Sequence, residues 1–205
     1  NDKGNILKHD TEDKIKLLYI DDDISPKLSH YLATGLKIEC IEYDELIFEP
    51  KRGYESILSS DKVRESNIIL IDSRLFENNN AKYGKFTGEE FKIIMKKIFP
   101  YVETIVITQN EKDDDYLTIR KYKQGNEDSE SYYNRELRPK IKLACHRIIE
   151  YRSVMKKMES SGIDKVFIEK TRAALDGQME YDELKKTDVD NLIATFKEME
   201  DKLNG

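Results

Sequence analysis

Short apolar runs of strand length alternate along the chain with segments whose apolar residues recur at helical spacing. Residues 68–71 are continuously apolar, which is typical of a parallel strand covered on both faces. Residues 88–98 place four apolar side chains on one helical stripe. This alternation predicts an α/β fold, with one parallel sheet of five strands and helices on both of its faces.

The same patterns place each element and divide the chain. We expect residues 1–13 to be a disordered or linker segment, residues 14–151 to form the α/β domain, and residues 152–205 to form a small helical extension. A polar loop is expected at residues 77–86. The expected strands are 15–20, 36–43, 67–71, 103–108 and a fifth near 129–133. The expected helices are 25–34, 54–65, 88–98, 114–123, about 136–158, 164–175 and 188–203.

Composition and charge narrow the classes of function. The chain has 205 residues, 37% of them charged, and a net charge of −6, with both signs mixed throughout. Nonspecific nucleic-acid binding depends on clustered Lys and Arg, so we expect no nucleic-acid partner. The apolar runs are far shorter than a membrane span, and the first residues lack the apolar region of a secretory signal. Cys40 and Cys145 show no metal-ligand spacing, which favours free thiols in a cytoplasmic protein.

Acidic and hydroxyl side chains follow three of the expected strands. Asp21, Asp22 and Asp23 come directly after the first strand, Asp72 after the third, and Thr108 after the fourth. Because ligands of parallel sheets bind at the carboxyl ends of the strands, we expect these groups to meet at one edge. Carboxylates from neighbouring strands can share Mg²⁺, which offsets their mutual repulsion. The alternative is that the acids only solvate the loops that follow the strands.

Three stretches of the sequence carry a resemblance to a known family. "LLYIDDD" (17–23), "NIILIDS" (67–73) and "TIVITQN" (104–110) resemble the first, third and fourth strands of the response-regulator receiver domain, whose fold is flavodoxin-like. The resemblance covers residues 15–151. It implies Asp72 as the phosphoacceptor, Thr108 as the switch hydroxyl, and a Mg²⁺ site made of Asp21, Asp22, Asp72 and the backbone carbonyl of Arg74.

The resemblance also implies a signalling role rather than a stand-alone enzyme. The phosphodonor is expected to be a histidine kinase or another phosphorylated donor, and the output a contact with a downstream protein or a homodimer. In that chemistry a carboxylate attacks a phosphoryl group in line, and nearby charges stabilise the transferring oxygens.

The expected fifth strand leaves a second hypothesis open. The family has a lysine after this strand, but residues 125–136 contain none, and Lys121, Lys123 and Arg135 are the nearest cations. A receiver-like domain without phosphotransfer is therefore an alternative, with partners bound through an aromatic edge and the helical extension. Aromatic residues are enriched at interfaces. The expected edge contains Tyr116, Tyr122, Tyr132 and Tyr133.

A third hypothesis is an enzyme. The stretch "DDDIS" (21–25) resembles the first motif of haloacid-dehalogenase-type phosphatases, and Thr108 resembles their second. Those enzymes place a lysine and then a strand-terminal acid after the threonine, whereas Asp72 precedes Thr108 and Asp113, Asp114 and Asp115 fall in an expected turn. The order of the motifs therefore favours the receiver.

Overall fold

The computed structural model of the chain describes residues 14–53, 55–75, 88–108, 117–161 and 165–175, which contain five strands and seven helices. The strands are β1 (Ile15–Asp21), β2 (Ile41–Ile47), β3 (Ile68–Asp72), β4 (Glu103–Thr108) and β5 (Thr118–Arg120). The helices are α1 (Pro26–His30), which continues into a π-helical turn (Tyr31–Gly35), α2 (Glu55–Leu58), α3 (Asp61–Arg64), α4 (Gly88–Ile98), α5 (Ser129–Glu136), α6 (Arg138–Ser160) and α7 (Lys165–Leu175).

All five strands are parallel and form one sheet in the order β2-β1-β3-β4-β5. This is the flavodoxin-like order, and it confirms the predicted α/β fold class. The chain leaves β1 toward β2 on one side and returns to β3 on the other, so β1 and β3 flank the point where the strand order reverses. Ligands of open α/β sheets bind at that point.

Two apolar layers cover the faces of the sheet, and they explain why the central strands lack polar alternation. Alternate residues of β1 point into opposite layers, Leu17 and Tyr19 into one and Leu18 and Ile20 into the other. Residues Ile68 to Ile71 of β3 are all 0% exposed. Full burial of such a side chain stabilises a fold by about 1.5–3 kcal/mol. The first layer includes Leu28, Tyr133, Leu137, Ile141 and Ile148, and the second Ile57, Val63, Ile94 and Met95.

Two expected elements in the first half of the domain have different bounds. The second strand begins at Ile41 rather than residue 36, because Lys37 has a φ of 47° and an extended strand cannot include this left-handed conformation. The helix expected at 54–65 is two short helices. Ser60 separates them with extended dihedrals, φ −80° and ψ 127°.

The expected fifth strand at residues 129–133 is wrong, and so is the helix expected at 114–123. The fifth strand is Thr118–Arg120, paired with β4, and residues 129–133 belong to α5. Asp128 is the N-cap of this helix, since its side chain accepts a hydrogen bond from the Ser131 backbone N–H at 2.9 Å. A strand of three residues is too short for its hydrophobic period to identify it.

The remaining helices in the described residues agree with the sequence. The long helix is Arg138–Ser160, with Pro139 in its first turn, and the helix expected at 164–175 is Lys165–Leu175. The helix expected at 188–203, the segment 1–13, the loop 77–86, the turn with Asp113, Asp114 and Asp115, and Tyr116 lie outside the described residues. In the described part of the chain, no helix is both long enough and apolar enough to cross a membrane.

One buried ion pair joins α6 to the start of β4. Glu103 is 2% exposed, and its carboxylate accepts a hydrogen bond from Arg147 Nη1 at 3.3 Å and from the Tyr151 hydroxyl at 3.5 Å. Removing one partner of a buried pair leaves an uncompensated charge, which costs more free energy than the pair itself contributes.

We predict that Arg147→Met lowers the free energy of unfolding by about 1–3 kcal/mol and that Glu103→Met in the same chain restores much of this loss. Urea denaturation measures both variants. The control is Lys16→Met, because the pair between Lys16 and Glu65 is exposed and contributes at most about 1 kcal/mol. Equal losses from Arg147→Met and Lys16→Met would contradict the prediction.

Candidate functional site

The groups singled out in the sequence lie at the carboxyl edge of the sheet. Asp21 ends β1, Asp72 ends β3 and Thr108 ends β4. All three are buried, with 2%, 5% and 2% of their surface exposed. The register pairs Asp72 with Ile107, so Thr108 stands one residue beyond the partner of Asp72. The strand order therefore places the acids of β1 and β3 next to each other, with Thr108 on the following strand.

Both oxygens of the Asp72 carboxylate are hydrogen-bonded. Its Oδ1 accepts from the Arg74 backbone N–H at 2.8 Å, and its Oδ2 accepts from Lys121 Nζ at 2.7 Å. Asp72 is almost fully buried, whereas about a third of the Lys121 side chain is exposed. A buried carboxylate needs a charged partner to offset its lost hydration, and Lys121 supplies it.

Lys121 is the site residue that the sequence reasoning did not place. It directly follows β5, and its backbone N–H donates to the Thr108 carbonyl at 2.7 Å, which continues the pairing of β5 with β4. The sequence pattern placed the fifth strand near residues 129–133, so the lysine was expected after that segment rather than at residue 121. The signal in the sequence is Leu117-Thr118-Ile119, a short run with two β-branched residues directly before the basic residues.

Several carboxylates keep Lys121 charged. Partial burial lowers the pKa of Lys121, but the hydrogen bond and charge of Asp72, with the charges of Asp21 and Asp22, outweigh it and raise the pKa overall. The side chain is therefore an ammonium ion at neutral pH.

Asp21 is held by two hydrogen bonds of its own. Its Oδ2 accepts from the Tyr19 hydroxyl at 2.5 Å, and its Oδ1 accepts from the Asp23 backbone N–H at 3.3 Å. Burial raises the pKa of Asp21 to about 6, and the charge of Asp72 adds to this rise. The Tyr19 hydroxyl, Lys121 and the Asp23 N–H act in the opposite direction. Asp21 is thus a carboxylate whose negative charge is destabilised by its surroundings.

The donor set suits a hard divalent cation. Mg²⁺ prefers oxygen ligands, commonly one or two carboxylates, and keeps several waters. Asp21 and Asp72 supply two buried carboxylates, and the exposed Asp22 follows Asp21 in the chain. A cation there would offset the burial of Asp21, which is the main cause of its raised pKa, and its repulsion by Asp72. Among the residues described, no cluster of three or more His, Cys, Asp or Glu side chains is arranged to hold a metal. The metal-ligand roles of Asp21, Asp22, Asp72 and the Arg74 carbonyl stay predictions.

The fold and the site together define a class of protein. It is an α/β protein with flavodoxin-like strand order, and two buried carboxylates and one lysine lie at its topological switch point. No protein-family model, no curated protein and no solved structure matches the chain. One fold supports many functions, so the function has to be argued from the site.

We predict that Asp21→Asn stabilises the protein at neutral pH. The folded-state pKa of about 6 lies above the value of about 4 for an unfolded chain, so the wild type loses free energy of unfolding as pH rises through that window. The variant lacks this loss. Its advantage is close to zero near pH 4 and reaches about 1–3 kcal/mol above pH 6.5. Thermal unfolding in EDTA across this range measures it.

Asp44→Asn is the matched control, because the Lys62 hydrogen bond lowers the pKa of Asp44 instead of raising it. This exposed carboxylate is stabilised in the folded state, so the control gains no stability at neutral pH. An Asp21→Asn advantage that is absent, or that does not change with pH, would contradict the pKa assigned to Asp21.

Proposed function

We propose that the protein is a receiver-like signalling protein that accepts a phosphoryl group on Asp72 with Mg²⁺ and transmits the change through contacts with another protein. The observation that carries this proposal is the 2.7 Å contact between Lys121 Nζ and Asp72 Oδ2 at the end of β5. The resemblance implies a lysine after the fifth strand, and Lys121 directly follows β5. The sequence still departs from the family after the phosphoacceptor, where the usual Met-Pro is replaced by Leu75 and Phe76 followed by a polar insertion.

The arrangement supports phosphoryl transfer step by step. A carboxylate oxygen of Asp72 attacks the phosphorus, a new P–O bond forms, and the bond from phosphorus to the donor's leaving group breaks. Lys121 can move from the carboxylate to a transferring oxygen without leaving the site. Mg²⁺ held by Asp21, Asp22 and Asp72 would supply positive charge beside these oxygens. Thr108 stands on the neighbouring strand, where its hydroxyl can donate a hydrogen bond to a phosphoryl oxygen.

Lys121 is also followed by residues that could transmit phosphorylation to a protein-binding surface. Tyr122 directly follows Lys121, and its ring lies 5.5 Å from the ring of Tyr132 and 6.1 Å from that of Tyr133. The Tyr132 hydroxyl donates to the Arg120 carbonyl at 2.7 Å. Tyr122, Tyr132 and Tyr133 thus form an aromatic cluster next to Lys121. Phosphorylation adds about two negative charges that attract Lys121, so a shift of Lys121 would be passed to this cluster through Tyr122.

That aromatic cluster also favours a second candidate function. Tyr122 and Tyr132 are half-buried, and Lys27 and Arg135 lie over their rings at 5.1 and 5.5 Å. Tyr and Arg are enriched at protein interfaces. A domain that binds a partner through this cluster without accepting phosphate is the alternative. The phosphatase hypothesis has less support, because Lys121 pairs with Asp72 rather than Asp21 and no strand follows β5 in the described residues.

We predict that the protein gains the mass of one phosphoryl group when it is incubated with acetyl phosphate and Mg²⁺, and that Asp72→Asn does not. The amide retains the shape of the side chain but is not a nucleophile. Intact-mass spectrometry measures the gain, with EDTA in a parallel sample. Asp44→Asn removes a different lysine-paired aspartate and is expected to behave like the wild type. No gain in a folded wild type would favour the partner-binding alternative.

We predict that Lys121→Met slows this reaction roughly tenfold or more, because the charge-assisted contact to the transferring oxygens is lost. The initial rate of mass gain at fixed Mg²⁺ measures the effect. Lys62→Met is the matched control, since Lys62 pairs with Asp44 at 2.9 Å away from the site. Equal rates for the two variants would contradict a role for Lys121 in the transfer.

A further inference from the structure

Tyr19 contributes the only hydroxyl on β1, and this hydroxyl points at the site. The residue is 0% exposed, and Tyr19 and Asp21 lie two residues apart on the same face of the strand. The hydroxyl donates to Asp21 Oδ2 at 2.5 Å, a short and charge-assisted hydrogen bond.

The same hydroxyl connects the carboxylate to the start of the first helix. Its oxygen accepts from the Ser25 backbone N–H at 3.4 Å, and Ser25 precedes α1. Asp21 Oδ1 is held separately by the Asp23 N–H. Bonds on both oxygens restrict the rotation of the carboxylate. Each oxygen of an ionised carboxylate has two lone pairs, so Oδ2 can still bind a cation while it accepts from Tyr19.

Packing alone does not require a polar group at this position. The neighbouring core positions of β1 are Leu17, Leu18 and Ile20, which fill the two apolar layers with hydrocarbon only. A buried hydroxyl needs a hydrogen-bond partner, and the partner of Tyr19 is the Asp21 carboxylate. We therefore expect the function of the Tyr19 hydroxyl to lie in its hydrogen bond to Asp21.

We propose that Tyr19 is a positioning residue for Mg²⁺, which holds the Asp21 carboxylate in the orientation that binds the cation. The inference rests on the proposed function, since it assumes that Mg²⁺ binds at Asp21. Carboxylates that ligate metals are themselves hydrogen-bonded, and loss of such an outer partner typically weakens metal affinity by about 10–100-fold. Tyr19 does not contact the metal.

Isothermal titration calorimetry of Mg²⁺ into the full chain tests the proposal on the wild type, Tyr19→Phe and a matched control. The control is Tyr43→Phe, because Tyr43 donates to Glu45 with the same two-residue spacing on the neighbouring strand β2, and Glu45 is not one of the acids of the site. We expect Tyr19→Phe to weaken Mg²⁺ binding roughly tenfold or more, with the stoichiometry unchanged, and Tyr43→Phe to bind like the wild type.

Each outcome separates this inference from the function on which it rests. An unchanged dissociation constant in Tyr19→Phe, or an equal loss in Tyr43→Phe, overturns the role of Tyr19 and leaves the proposed function standing. A Tyr19→Phe protein that is less stable in EDTA but binds Mg²⁺ normally shows a structural role only. A wild type that does not bind Mg²⁺ overturns both. Weakened binding in Tyr19→Phe without phosphorylation of the wild type supports the inference and overturns the phosphotransfer.

Discussion

The ion pair between Asp72 and Lys121 is the interaction on which this edge of the sheet depends. Asp72 ends the central strand and is almost fully buried, so its charge is tolerated only with a partner close by. The partner directly follows β5, a strand of three residues at the opposite edge from β2. The burial of the Asp72 carboxylate and the position of β5 are therefore linked, because the ion pair that offsets the charge of Asp72 also holds the end of the shortest strand.

The two buried acids, Asp21 and Asp72, have different hydrogen-bond partners. Their surroundings explain how the buried strand β1 can end in a run of three acidic residues. Asp72 is hydrogen-bonded to the positively charged Lys121, whereas the hydrogen bonds of Asp21 come from the neutral hydroxyl of Tyr19 and a backbone N–H. Asp22 and Asp23 remain exposed, and the Asp23 backbone serves as a donor to Asp21. Only one of the three consecutive carboxylates therefore bears the cost of burial.

The sequence predicted the central strands well, because continuous burial leaves an apolar run that few other structures produce. It did not place β5, since three residues carry too short a period and the tyrosines of α5 favour a strand on propensity. The acids of the site were visible as strand ends. Lys121 and Tyr19 were not, because one depends on the position of β5 and the other on a contact between two buried side chains.

The outer strand β2 carries its own protection against unwanted association. An edge strand exposes unpaired backbone groups that another chain can extend. Here Glu42 and Asp44 are exposed along this edge, and Lys14 and Lys62 pair with them. Adding a foreign strand would strip water from two ion pairs with no compensating charge. The β2 edge of the sheet is therefore a charged border that disfavours growth into fibrils.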